Sequence, residues 1–310
     1  MASRSSQSNA SSTVAPTKPA KTFVKNPVAA RKVALRPVQR QYADILSFMA
    51  KNQLHAPVLG VAWDSSSGSN ILWGGEFLQP TQSSTQYGFD QVARFLPYAL
   101  PIADQTAADH FTEDYPIKEG CALEPRRSAL GLLYSCYGES VFEMADLAPM
   151  RFFTHSQLAV LRETLSQKRY VLTTSSVGRM FDGIASLLNL HHYIGLKGQA
   201  ARTLEFAATQ SSTRSSYPFS VTEGQPVLID WREIVKAIVE DCHEAVMTPI
   251  IAAKFHNTLV EIVVEIAHRT NNSQIVLAGS CFQNKVLIER AIRRLSAEGF
   301  TPYWIERTTG

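Results

Sequence analysis

Acid is missing from the start of this chain. The first 43 residues hold eight Lys or Arg and no Asp or Glu. They are rich in Ser, Ala, Thr and Pro and show no apolar period, so they cannot bury enough surface to offset the entropy of ordering. Residues 1–36 therefore read as a disordered basic tail. The alternative is an organelle transit peptide, since such segments are Arg- and Ser-rich and poor in acid; no central apolar core marks a secretory signal. Cysteine is scarce as well. Cys121, Cys136, Cys242 and Cys281 stand far apart with no CxxC. That excludes a zinc knuckle or a thioredoxin-type pair and predicts free thiols in a reducing, cytoplasmic compartment, organelle import through residues 1–36 being the alternative. Long apolar runs are lacking too. None approaches the roughly 18 to 20 residues a membrane span needs, and no repeat of fixed period is present.

The formal charge of +3 belongs to the basic tail; the rest carries 22 basic and 27 acidic residues, a net of −5. A mildly acidic body does not favour nucleic acid. What is present is an ample core: 310 residues, 45% apolar, enough for one large core or two lobes around a cleft.

Apolar spacing predicts helices over 42–50, 126–138, 156–167 (N-capped by Thr154 or Ser156), within 173–190 after a hydroxyl-rich turn, and over 198–208, 231–245, 248–269 and about 284–299. Strands are predicted at Val58–Trp63 and Asn70–Trp73 as a hairpin, at Gln274–Ala278 and at Thr301–Ile305. Residues 80–125 read as irregular and 209–224 as a polar loop. Strand, small-residue turn, helix and strand at the C-terminal end form an α/β unit, and ligands of such units sit beyond the carboxyl ends of the strands.

Three loops carry candidate chemistry. At 64–68, DSSSG ends a strand with one carboxylate, Asp64, among small residues including Ser65 and Gly68. Such a loop lets backbone N–H groups approach phosphate oxygens; an ordinary Ser/Gly hairpin turn is the plain alternative. At 173–179, TTSSVGR opens a helix whose free amides, with Ser176, Gly178 and Arg179, suit an anion. Capping alone explains the serines equally well. Asp182, one turn on, either accepts from a ribose hydroxyl or pairs with Arg179. At 278–284, AGSCFQN links a buried strand to a helix. Gly279 and Ser280 permit close backbone approach, and Asn284 offers an amide. Cys281 beside that helix start is a candidate acidified thiol, set against the commoner buried free cysteine. His191, His192 and His256 have no partner at metal-ligand spacing, and His256 reads as a structural helix residue. Trp63, Trp73, Trp231 and Trp304 read as packing residues.

The order GVAWDSSSG, LWGGEFL, EPRRSALGLL, TSSVGRMFDGIASLL, GQAARTLE, AAKFHNTL and LAGSCFQNKVLIER resembles the C-terminal carbamoyltransferase region of the nickel–iron hydrogenase maturation protein HypF. It is similar, more distantly, to the tRNA threonylcarbamoyl-transfer ATPases. The likeness covers about residues 38–305. It implies an α/β fold of the ASKHA (actin/Hsp70-like) type, two lobes around ATP. The implied N-terminal lobe is 38–170, followed at 171–310 by a helical segment and a C-terminal lobe that ends incomplete. The implied chemistry passes a carbamoyl group from carbamoyl-adenylate to the C-terminal cysteine of a HypE-like partner. Asp64 would be catalytic. Ser65, Gly68, Ser176, Gly178, Asp182, Gly279, Ser280 and Asn284 would meet the nucleotide.

Three departures bear on activity. The family opens with VQHHHAH, whose first and last histidines bind a divalent metal. Here the stretch is Val38-Gln39-Arg40-Gln41-Tyr42-Ala43-Asp44. Arg40 cannot ligate a cation, and Asp44 is the remnant that can offer an oxygen. The family's closing PPNDGG is replaced by Glu306-Arg307-Thr308-Thr309-Gly310, an unfinished lobe that an oligomer would cover. The upstream acylphosphatase, zinc-finger and YrdC-like domains are absent, so the chain would receive carbamoyl-adenylate and not make it. The rival expectation is a non-catalytic relative that keeps nucleotide or partner binding.

Overall fold

The computed structural model of the chain describes residues 39–54, 57–64, 74–82, 87–102 and 123–304. Helix α1 (Gln39–Lys51) leads into β1 (Leu59–Trp63), β2 (Gly75–Gln82), β3 (Tyr87–Phe95) and β4 (Tyr98–Pro101). Then come α2 (Pro125–Tyr137), α3 (His155–Gln167), β5 (Val171–Thr174), α4 (Val177–Leu187) and α5 (Gln199–Thr209). The rest is β6 (Ser220–Thr222), β7 (Val227–Asp230), α6 (Arg232–His243), α7 (Thr248–Thr270), β8 (Gln274–Ala278), α8 (Lys285–Ala297) and β9 (Thr301–Trp304).

Seven strands form one mixed sheet in the order β6-β7-β3-β2-β1-β8-β9; β4 and β5 pair separately. β1 lies antiparallel to β2 and parallel to β8, so the carboxyl ends of β1 and β8 leave the sheet side by side. β1 is buried throughout, and its two faces divide the core. Leu59, Val61 and Trp63 join the large cluster, whereas Ala62 joins Ile45 and Phe48 of α1 with Leu78, Val276 and Ala278. Gly60 is required on the α1 face: a Cβ there would lie 2.3 Å from Ile45 Cδ1.

Local signals account for the helices. Thr154 caps α3, its Oγ accepting from Gln157 N at 3.2 Å while Gln157 Oε1 accepts from Thr154 N at 3.0 Å, a capping box. Two expectations are corrected. Residues 80–125 are not irregular throughout, since β2 runs to Gln82 and β3 and β4 follow. Polar positions in YGFDQVARF and a register shift at Phe77/Leu78 hid the strand pattern. The end of the expected polar loop 209–224 is the edge strand β6. The expected strand at 70–73 and Trp73, like Cys121, the 1–36 tail, Arg40's side chain and the 306–310 end, lie outside the described residues. Among the described residues no helix is long and apolar enough to cross a membrane.

Candidate functional site

The site assembles where β1 and β8 end and β2 begins, against α4. Asp64 follows β1, and its backbone N–H donates to Gly74 O at 3.1 Å to close the hairpin base. The 3₁₀ turn Ser280–Gln283 follows β8. Gly279 joins the two with φ +97°, and a Cβ there would lie 2.1 Å from Trp63 O, so the close approach demands glycine. Ser280 Oγ then donates to the Asp64 carboxylate.

Helix α4 is bolted to the same hairpin base. Ser176 caps it, its Oγ accepting from Arg179 N at 3.3 Å and donating to Asp64 O at 2.9 Å. Val177 N donates to Gly74 O at 3.2 Å. Ser175 Oγ donates to Glu76 Oε1 at 2.8 Å. Glu76 is fully buried and also accepts from Gln41 Nε2 at 3.1 Å and Gly75 N at 3.0 Å. Burial pushes its carboxyl up to about 7, against the pull of those donors.

A cleft of about 240 Å³ opens between the start of α4, α5 and the β8–α8 turn. Gly178, Ser280 and Asn284 line it, so three sequence-predicted residues meet there. Asn284 is also committed inward: Oδ1 accepts from Leu287 N at 2.9 Å to cap α8, and Nδ2 donates to His256 Nε2 at 2.9 Å. His256 Nδ1 donates to Ala252 O at 2.7 Å, and burial lowers the ring to about 4, so it is a neutral structural histidine as expected. Asp182 does not line the cleft. It is buried in an ion pair with Arg179 at 2.9 Å, both side chains 1% exposed. Burial raises its carboxyl to about 6, against Arg179. Ser65 and Gly68 lie outside the described residues. Cys281 lines the cleft, but burial and then Asp64 raise its thiol well above the ordinary value, which overturns the acidified-thiol expectation.

Lys197, Arg202 and Glu205 also line the cleft, and sequence reasoning missed them. Positions 198, 201, 202 and 205 share one face of α5 at helical spacing, and that was the signal available. Glu205 Oε1 accepts from Lys285 N at 2.6 Å, which holds its carboxylate at the start of α8. Among the described residues no three His, Cys, Asp or Glu side chains converge on a point a metal ion could occupy, so the described donors do not fit a cation site at Asp44.

Residues 60–309 match the family described as "Carbamoyltransferase, Kae1-like Domain, second subdomain". The chain is 32% identical over 283 residues to a carbamoyltransferase HypF of Synechocystis sp., covering 86% of this chain and 34% of that protein. It is 26% identical over 273 residues to HypF of Rhizobium leguminosarum bv. viciae, covering 86% and 32%. The crystal structure of full-length HypF in its phosphate- and nucleotide-bound form superposes with a TM-score of 0.68 at 26% identity, over 86% of this chain and 32% of that one. That of T. kodakarensis HypF gives 0.62 at 23% identity, over 86% and 33%. The chain thus spans about a third of the length of these relatives. Its mixed α/β fold is Kae1-like, of the ASKHA type. With the family model spanning residues 60–309 and the Kae1-like fold beside it, the protein belongs to the HypF carbamoyltransferase family, matching the second subdomain of its Kae1-like domain.

Proposed function

We propose that this chain binds a nucleotide, ATP or carbamoyl-adenylate, in the α4–α5–α8 cleft and serves carbamoyl transfer to the C-terminal cysteine of a HypE-like partner. The observation that carries the reading is the convergence of Gly178 and Ser280, the latter bonded to Asp64, in a cleft also lined by Lys197, Arg202 and Glu205. The lining suits a nucleotide. Bare backbone at Gly178 lets the α4 amides approach phosphate, as helix starts do. Glu205 keeps one oxygen on Lys285 N and has the other to accept from sugar hydroxyls. Lys197 and Arg202 draw an anion to the mouth.

In the proposed transfer, adenylate supplies the leaving group. The partner's thiolate attacks the carbamoyl carbon; the C–S bond forms as the C–O bond to the adenylate phosphate breaks, and AMP departs. Asp64, held by Ser280, fixes the geometry at the phosphate end. A second reading, binding without turnover, is favoured by Arg40 and Asp44 standing where the family has its metal histidines. Calorimetry separates the possibilities. Micromolar ATP binding is expected, weakened about tenfold or more by Asp64→Ala, the scale of a lost hydrogen bond to a charged group. Transfer to a HypE-like acceptor then separates enzyme from relic. A well-folded chain that binds no nucleotide sinks both readings.

A further inference from the structure

Glu76 is a buried carboxyl that the carbamoyl chemistry leaves unused. It sits at the second residue of β2 and touches three separate elements: α1 through Gln41, its own strand through Gly75 N, and the β5–α4 turn through Ser175. The turn lies directly on the strand, since a Cβ at Gly75 would fall 2.3 Å from Ser175 O. The Ser175 bond is made to a titratable group, whereas the bonds that Ser176 Oγ and Val177 N make to the hairpin base run to backbone carbonyls. Gly178, the first residue of α4 to line the cleft, lies three positions on.

We infer that Glu76 is a positioning residue, whose ionised carboxylate, through Ser175, holds the first turn of α4 so that Gly178 presents to the nucleotide. The inference rests on the nucleotide reading above and deepens it into a regulation of that site by pH. The switch has a second state ready. Gln41 Oε1 is buried and has no hydrogen-bond partner among the described residues. A protonated Glu76 donates to that oxygen once the Gln41 amide turns over, while the Ser175 bond loses its charge assistance. The groups facing Glu76 do not override this. Tyr42 of α1 is a phenol that burial, and then the Glu76 and Asp90 charges, keep protonated. Arg94, opposite Glu76 in the β2–β3 ladder, is not among its hydrogen-bond partners. Asp64 is turned toward Ser280.

The test uses the full chain with isotope-labelled glycine, titrated from about pH 5.5 to about pH 8.5, a range that brackets the carboxyl. The expected result is that the Gly178 amide resonance shows a step with the Glu76 carboxyl in the wild type that is lost in Ser175→Ala and in Glu76→Gln, while any step it owes to Asp182, one helical turn on and raised to about 6, stays in all three. In parallel, ATP affinity at fixed Mg²⁺ is expected to fall about fivefold from the alkaline to the acid end in the wild type, the loss of one hydrogen bond's charge assistance. Glu76→Gln should hold the acid value throughout. Titration of the ATP phosphates is common to all variants and cancels in the comparison. A Gly178 amide whose wild-type titration is unchanged in Glu76→Gln, or that keeps the Glu76 step in Ser175→Ala, overturns the inference. Gly178 titrating in a chain that binds no ATP leaves the positioning in place and removes the nucleotide reading alone.

Discussion

Arg179→Ala is expected to cost the fold about 3 to 5 kcal/mol, the range for breaking a buried ion pair from one side. The partner is the reason. Asp182 is 1% exposed, and its carboxylate pairs with Arg179 at 2.9 Å. Without the guanidinium, Asp182 either holds an unpaired charge in the core or takes a proton. Burial already lifts its carboxyl to about 6 with Arg179 in place, and removing the cation lifts it further. The loss should therefore be largest at alkaline pH and shrink as pH falls and Asp182 is neutralised. Urea unfolding at several pH values checks it, and Asp182→Asn in the Arg179→Ala background should recover part of the stability at alkaline pH. A loss that is the same at every pH would mean that packing volume, not the orphaned charge, sets the cost.

Much of the fold was written locally. β8 is QIVLA, an apolar run closed by a glycine, and its observed bounds are those its pattern predicts. α7 and α8 follow apolar spacing, Asn284 capping the latter. β3 was not legible. Its pairing with β7 is parallel and distant in the chain, and its sequence mixes Asp90, Gln91 and Arg94 among the apolar residues. The site divides the same way. Gly178, Gly279, Ser280 and Asn284 announce themselves because helix starts and tight turns need those residue types. Lys197, Arg202 and Glu205 become cleft residues only when α5 packs against α4 and α7, and no local preference records that. Glu76 lay in plain view in GGEFL. A carboxylate inside an apolar strand was the cue, and its meaning depends on Gln41 and Ser175, which tertiary folding alone brings to it.

That carboxylate also sets the second large effect. Glu76 is raised from 4.5 to about 7. Between those values the folded chain holds a proton that the unfolded chain has released. Stability from this group is thus fully present below pH 4.5, falls as pH rises, and is lost above about pH 7. A shift of that size amounts to about 3 kcal/mol. The raw pH profile of the wild type will not display it cleanly. Asp182, raised to about 6, adds a fall of the same sign. His256 and His192, each lowered to about 4 by burial, oppose both, because the unfolded chain takes up their protons first and stability from them grows as pH rises. The difference between wild type and Glu76→Gln isolates the carboxyl, since the other three titrations are common to both. Glutamine keeps the shape without the charge. Its stability relative to wild type is expected to climb by about 3 kcal/mol between pH 4.5 and about pH 7.5 and then level off. Chemical denaturation at closely spaced pH values measures that climb. Ser175→Ala leaves Glu76 buried and titrating, so its difference curve should retain most of the wild-type slope. If Glu76→Gln tracks the wild type at a constant offset, the Glu76 carboxyl titrates as an ordinary one, and Gln41, Gly75 and Ser175 are holding a fully charged group at neutral pH.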